Sequence, residues 1–294
     1  MAVNAQAIED RASLGIGMLL LAWLFFSFVD TTAKWLAIAG VPAIQLAFMR
    51  YVTHFLASIA LIARGGLSRD RFATSHFWIV LLRAFLLVSA TTFNFYALKF
   101  LSLTVTSAIM FSSPIIVCLL AWPMLGERVG PWRAFAILLG FAGVLIIIRP
   151  FGETFHWTVL LVCYNACALA LYSILTRKLA GVVATETMQF YMGLLGTAAL
   201  APFALLQWTP SASNFDLLLL WTLGIWAWAG HELLTRAHSF APAITLMPYT
   251  YSFLIYLTIA SYLVFGDLPD VWTMFGALVI VESGLIIWQR TKAR

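Results

Sequence analysis

Asp30, Arg50, Arg83, Glu232 and Glu282 lie within long apolar runs, accompanied by His54 and His231. Ionisable groups in such runs are costly in a bilayer, usually face a bundle interior and carry function by default. The chemistry open to them is ion pairing, anion binding and proton transfer. Asp30 and Arg50 fall at similar depth in consecutive runs. Either they form a closed ion pair, or Arg50 binds a carboxylate or phosphate and Asp30 is its resting partner. Asp30 also stands four residues before Lys34, a favourable helical spacing. Lys34 lies at the boundary, where a long amine snorkels to headgroups. Arg83 and Glu282 match in depth closely enough to pair; Arg83 could instead meet substrate. Glu282 is a proton or substrate contact, or a protonated packing residue. His231-Glu232 and the Thr91-Thr92 stretch near Asn94 could each form a gate. The competing reading pairs Glu232 with Arg236 one helical turn on.

Aromatic residues add a second chemistry. Trp23, Trp226 and Trp228 lie deep in their runs, Tyr96 ends a polar stretch, and Tyr249 and Tyr251 follow Pro248. Such rings stack on planar or apolar groups and attract ammonium ions, and packed helices use them too. Tyr249, Phe253 and Tyr256 share one helical face. Catalytic and cofactor signatures are missing: the chain has no P-loop and no nucleophile elbow. Cys118, Cys163 and Cys167 make neither a staple framework nor a zinc set. A lipid-acting enzyme would cluster its acids and histidines at an interface, whereas these are scattered in depth. A passive channel would show a long polar stripe, and the stripes here are short.

The elements that must hold these residues are membrane helices. The chain has 294 residues, 63% hydrophobic and 10% charged, with a mean hydropathy of +0.95. Soluble domains have about half apolar and a quarter charged residues. Ten spans are expected at 14–35, 42–63, 76–98, 102–125, 131–149, 157–178, 185–207, 214–236, 241–265 and 271–289. The runs are too long for barrel strands and lack a period of two. With the N-terminus inside, twelve Lys and Arg fall in inner segments and three (Lys34, Lys99, Arg149) in outer ones. That bias places both termini in the cytoplasm. The net charge of +5 therefore reports topology and not a nucleic-acid surface.

A shift of 140 aligns residues 100–147 with 240–287 at ten positions, including Gly126/Gly266, Trp132/Trp272 and Leu145-Ile146-Ile147 with Leu285-Ile286-Ile287. Ten spans then divide into five plus five. An odd number inverts the second set. The basic turn Gly126-Glu127-Arg128 falls inside, and its partner Gly266-Asp267-Leu268-Pro269-Asp270, without Lys or Arg, falls outside. Inverted repeats with a midplane site between them mark secondary transporters.

Pro114, the Gly126-Glu127-Arg128 turn, Trp132, Gly140-Phe141-Ala142-Gly143-Val144 and Gly266-Asp267 together resemble the drug/metabolite transporter superfamily, EamA type. The resemblance implies an all-α integral membrane fold: ten helices as two inverted five-helix repeats, 14–149 and 157–289, around a central cavity. Spans four and nine would be prominent in its lining. It implies alternating-access transport of a small polar metabolite across a bacterial inner membrane. Two branches fit: amino-acid exporters, and uptake carriers of the riboflavin or S-adenosylmethionine type. The substrate-binding candidates are Arg50, Arg83, Tyr249, Tyr251, Trp23, Trp228 and Tyr96. The gating or coupling candidates are Asp30, Asn94, His231, Glu232 and Glu282. Proton coupling and passive exchange are both open. So is a homodimer, because Ala136-x-x-x-Gly140 and Gly193-x-x-Gly196 also suit packing within one chain.

Overall fold

Apolar residues surround most of each long run, so these helices suit a solvent as apolar as themselves. The computed structural model describes residues 12–64, 73–113, 115–117, 120, 131–149, 155–179, 182–210, 213–240, 249–250 and 252–292. These contain ten helices: α1 Ala12–Ile38, α2 Ala43–Arg64, α3 Phe77–Leu98, α4 Leu103–Met110, α5 Pro131–Ile148, α6 Val159–Leu179, α7 Thr185–Leu206, α8 Asn214–Phe240, α9 Ser252–Phe265 and α10 Val271–Lys292. There is no strand among the described residues. Helices α1, α2, α3, α6, α7 and α8 are long and apolar enough to cross a membrane. The expected spans four and nine are only partly described, and Pro114, Pro248, Tyr251 and the Gly126-Glu127-Arg128 turn lie outside the described residues.

Short connections put helix ends on common faces. One face carries the α1–α2, α3–α4, α5–α6, α7–α8 and α9–α10 connections, and is called distal here because both termini lie opposite. Contacts between its loops fix this arrangement. Gln45 donates through Nε2 to the Thr209 carbonyl at 2.9 Å, and its Oε1 accepts from the Thr209 amide at 2.9 Å. Trp35 Nε1 donates to Asp216 Oδ1 at 3.0 Å.

Local chemistry sets the helix ends. Gly40, at φ 94°, ends α1; its amide reaches Ala37 O and that of Val41 reaches Leu36 O, as a left-handed C-terminal cap requires. Gly266, at φ 69°, turns the chain out of α9. Ser102 Oγ accepts from the Val105 amide at the start of α4, and Asp270 Oδ1 from the Thr273 amide at the start of α10. Pro131 opens α5, where its missing N–H costs nothing.

The packing exchanges the two halves of the chain. α1 lies mainly on α8, and α3 correspondingly on α6. α2 packs on α7, α4 on α9 and α5 on α10, each helix on its own counterpart. α2 also packs on α8, and α3 on α7. This two-fold pattern of contacts is the one that two related five-helix units would give. Lipid offers no hydrophobic drive between helices, so close approach depends on small residues. At the α5–α10 seam, a Cβ on Gly143 would stand 2.9 Å from Gly276 O, and one on Gly276 would stand 2.7 Å from Gly143 O. Ser283 Oγ donates across the same seam to Ala136 O at 2.6 Å. On α7, Gly193 receives Phe55 and Gly196 the ring of Tyr51. Both small-residue faces are thus used within the chain. Large apolar side chains such as Phe85, Leu138, Phe141 and Leu263 stand on the outside, as in a multi-pass membrane protein.

Candidate functional site

The polar residues gather where α1, α2 and α3 meet α6, α7 and α8. Arg50 is buried on α2. Its Nη1 donates to Thr91 Oγ1 on α3 at 2.6 Å and to Tyr51 Oη at 3.0 Å. Those two hydroxyl oxygens lie 3.0 Å apart, closing a triangle. Arg50 Nε is buried without a partner. Asp30 sits nearby on α1, within electrostatic reach of Arg50, and accepts one long hydrogen bond from Asn94 Nδ2 at 3.4 Å. The expected closed pair between Asp30 and Arg50 does not form; no salt bridge within 4.0 Å joins them. The Arg50 Nη1 is instead engaged by the hydroxyls of Tyr51 and Thr91.

Arg83 is also buried, on α3. Its Nε donates to Thr176 Oγ1 at 2.7 Å and its Nη2 to Tyr172 Oη at 2.5 Å, both on α6. Its Nη1 has no partner. Pairing with Glu282 is not found, because α10 packs on α5 and α4 and presents Glu282 on its exposed side. His54 and His231 lie in the field of both arginines, with ring centroids 6.1 Å apart. Gln189 on α7 is buried and hydrogen-bonds to His54.

Aromatic rings stand beside this cluster. Phe26 meets His231 edge-on at 4.9 Å. Trp23 contacts Phe26 at 5.5 Å and Phe253 of α9 at 5.2 Å, and its Nε1 is buried and unpartnered. Trp228 is half-buried on α8. Tyr96 stands elsewhere, on the distal rim with Phe100 and Trp157 at 5.5 and 6.0 Å. Tyr249 is exposed just before α9. Glu232 pairs with Arg236 at 2.8 Å on the exposed side of α8, the local pairing its spacing allows.

Lys34 behaves differently from expectation. It neither snorkels nor pairs with Asp30. Its Nζ is buried, lies 4.6 Å from the centre of the Phe265 ring and meets Asp267 Oδ2 at 2.7 Å. Arg149 likewise bonds Asp270. These two ion pairs tie the first half of the chain to the α9–α10 turn across the distal face.

Tyr51, Tyr172, Thr176 and Gln189 are the site residues that the sequence reading omitted. Tyr172 and Thr176 had a signal: two hydroxyls one turn apart in an apolar helix. Among the described residues no group of three or more His, Cys, Asp or Glu could hold a metal ion.

Buried charge and hydrogen-bonding groups thus lie inside a bundle of helices long and apolar enough to cross a membrane. Residues 13–149 match the sequence profile of the EamA-like transporter family. The chain's relatives extend over its whole length. It is 29% identical over 283 residues to an S-adenosylmethionine uptake transporter of Rickettsia bellii, covering 96% of each chain. It is 29% identical over 299 residues to a riboflavin transporter of Rhizobium johnstonii, covering 99% of this chain and 96% of that one. A riboflavin transporter of Vibrio cholerae is 29% identical over 293 residues, covering 98% of both chains. A crystal structure shares the fold with a TM-score of 0.65 at 19% identity, covering 95% of this chain and 97% of that one. Each of these relatives is named as a transporter of a small metabolite.

Proposed function

We propose that this chain is a secondary carrier that moves a small polar metabolite across the bacterial inner membrane by alternating access. Two EamA-type units, residues 14–149 and 157–289, rock about the polar cluster. Both termini are cytoplasmic, as the twelve-to-three distribution of Lys and Arg supports. The distal face is then periplasmic, and Lys34–Asp267 and Arg149–Asp270 tie its loops together.

One observation carries the reading: Arg50 is buried, held by Thr91 and Tyr51, and keeps Nε unpartnered. A buried donor without an acceptor is costly, by about 1–3 kcal/mol. A bound anionic group would remove that cost. The cargo is an amino acid or related compound with an aromatic part, its carboxylate on Arg50 and its ring near Trp23 and Phe253. A second reading, favoured by the named relatives, is uptake of a vitamin or nucleoside-like metabolite such as riboflavin or S-adenosylmethionine. Asp30, the carboxyl of the cluster, is the proton-coupling candidate; Glu282 faces outward.

The test is uptake and counterflow in proteoliposomes, with labelled aromatic amino acids, riboflavin and S-adenosylmethionine as cargo. A carrier gives saturable flux with counterflow, and Arg50→Ala weakens it. Steady accumulation that is identical with and without a pH gradient removes the coupling role of Asp30. Linear, non-saturable flux sinks the carrier reading.

A further inference from the structure

Asp30 and Asn94 carry acceptors that the described residues do not fill. Asp30 is buried on α1, and among the described residues its carboxylate accepts one bond, the long one from Asn94 Nδ2 at 3.4 Å. An ionised carboxylate has about four acceptor sites, so one long bond leaves most of them open. Asn94 is buried on α3; with its Nδ2 on Asp30, its Oδ1 is buried and has no partner. Lys34, one turn further along α1, has the spacing to supply an ammonium to Asp30. Its Nζ is committed instead to Asp267 at 2.7 Å. A buried acceptor without a donor is costly. Two of them on neighbouring side chains suit a ligand group that only donates. α3 sets this pair beside Arg50. Thr91, which holds Arg50 Nη1 at 2.6 Å, precedes Asn94 by three residues. Residues at that spacing share a helix face, with Cβ atoms about 5–6 Å apart. On α1, Trp23, Phe26 and Asp30 stand at spacings of three and four and so share a face, with the Trp23 and Phe26 rings 5.5 Å apart.

We infer that Asp30 and Asn94 Oδ1 form a site for a cationic amine, and that with Arg50 they read the α-amino acid group of the transported molecule. The inference rests on the carrier reading above and adds an amine site to the carboxylate site assigned there. An ammonium has three donors and no acceptor, so one group can satisfy both side chains. Asp30 also supplies the counter-charge that an ammonium needs in an apolar interior. In an α-amino acid the ammonium and the carboxylate are attached to one carbon. One molecule can therefore meet Asn94 and Arg50 from adjacent turns of α3. The rest of the molecule then runs along the shared face of α1, toward Phe26 and Trp23. The two readings of the cargo separate on this point. Amino acids and S-adenosylmethionine carry an α-amino acid end, and riboflavin carries none.

Three ligands with one ring separate the parts of this site: phenylalanine, 3-phenylpropanoate, which lacks the amine, and 2-phenylethylamine, which lacks the carboxylate. Methionine and 4-(methylthio)butanoate repeat the amine comparison without a ring. Binding is read from thermal unfolding of the detergent-purified full chain at neutral pH. Each amino acid should bind about tenfold or more tighter than its amine-free partner, the scale of a charged hydrogen bond. Phenylalanine should also bind tighter than 2-phenylethylamine, through Arg50. Asp30→Asn should abolish the preference for the amine, weakening phenylalanine and leaving 3-phenylpropanoate no weaker. A role in folding alone would weaken both equally. Asn94→Ala should reduce the preference by a smaller factor, and serves where Asp30→Asn does not fold. Glu186→Gln, exposed in the first turn of α7, should leave it unchanged. Equal binding with and without the amine in both pairs overturns the site, and so does failure of both amino acids to bind. Amine preference that survives undiminished in Asp30→Asn or Asn94→Ala overturns it too. Saturable flux of riboflavin, with no binding of the amino acids, would sink the amine site and keep the carrier. Asp30-dependent amine preference without saturable flux would do the reverse.

Discussion

Lys34 and Asp267 form an ion pair that must break whenever the distal face opens, and its two ends are unequally buried. The side-chain exposure is 7% for Lys34 and 43% for Asp267. A fully exposed pair contributes about 0–1 kcal/mol, and breaking a fully buried one costs about 3–5 kcal/mol. Solvent on the Asp267 side puts this pair near the lower range, at about 1.4 kcal/mol, or tenfold in the ratio of closed to open states. The two single substitutions should differ. Asp267→Asn leaves a buried ammonium without a counter-charge in the closed state, keeping only the Phe265 ring. Lys34→Met leaves a carboxylate that water can reach. Asp267→Asn should therefore favour the open distal face more than Lys34→Met does. The double substitution should fall nearer the wild type than Asp267→Asn alone, the signature of a direct pair in a double-mutant cycle. Spin labels on the exposed positions Ile38 and Leu268 report the separation across this face. The expected result is a longer-distance population that grows in the order wild type, Lys34→Met, Asp267→Asn. Unchanged distances in Asp267→Asn, or a larger effect from Lys34→Met, would refute the reasoning.

Gly224→Ala should be strongly destabilising, because its Cβ would stand 2.2 Å from Arg50 O and 2.5 Å from the His54 amide nitrogen. Those are backbone atoms and cannot rotate away, so a loss of about 3 kcal/mol is expected in thermal unfolding of the purified protein. Asp270→Ala removes the cap of α10 and should cost about 1 kcal/mol at neutral pH. Partial burial pushes the Asp270 carboxyl up, but hydrogen bonds from Thr273 and the Arg149 guanidinium outweigh it and hold it below its ordinary value. Its contribution is thus complete above the unfolded-state value and fades as the pH falls through the folded one. An unfolding series in acid should show wild type and Asp270→Ala converging; a gap that widens in acid would contradict the assignment.

The sequence places residues along helix axes better than around them. Apolar run length and the Lys and Arg pattern give helix positions, because a membrane fixes length and sidedness. Arg50 and Asp30 were correctly placed at neighbouring depths, yet their partners depend on azimuth. In a helix that is apolar all round, nothing separates the side facing lipid from the side facing other helices. Glu282 shows the consequence: its depth matched Arg83, and the packing of α10 on α5 turned it outward. Lys34 shows a second limit. Its partner, Asp267, lies 233 residues away in the other half and is set by tertiary contact alone. Polar residues one helical turn apart carried usable information, in Tyr172 with Thr176 and in Glu232 with Arg236.

The scaffold is nearly symmetric, and its chemistry is not. Exchange of the halves converts α1 on α8 into α6 on α3, and returns α2 on α7 and α5 on α10 to themselves. The proposed alternating access would use an arrangement in which the halves exchange roles, which such a packing makes geometrically available. The charged members of the cluster, Asp30, Arg50 and Arg83, all come from α1, α2 and α3. The second half contributes uncharged partners from α6 and α7: Tyr172, Thr176 and Gln189. A symmetric set of charges would place four arginines together and strengthen their repulsion. With charge confined to the first half, the second can move past it by exchanging hydroxyl and amide contacts, each worth about 1 kcal/mol. No buried ion pair inside the cluster has to be broken. The ion pairs that do break lie at the distal rim, where water can solvate their acidic ends. On the proposed rocking mechanism, the contacts that cost most to break therefore lie outside the polar cluster.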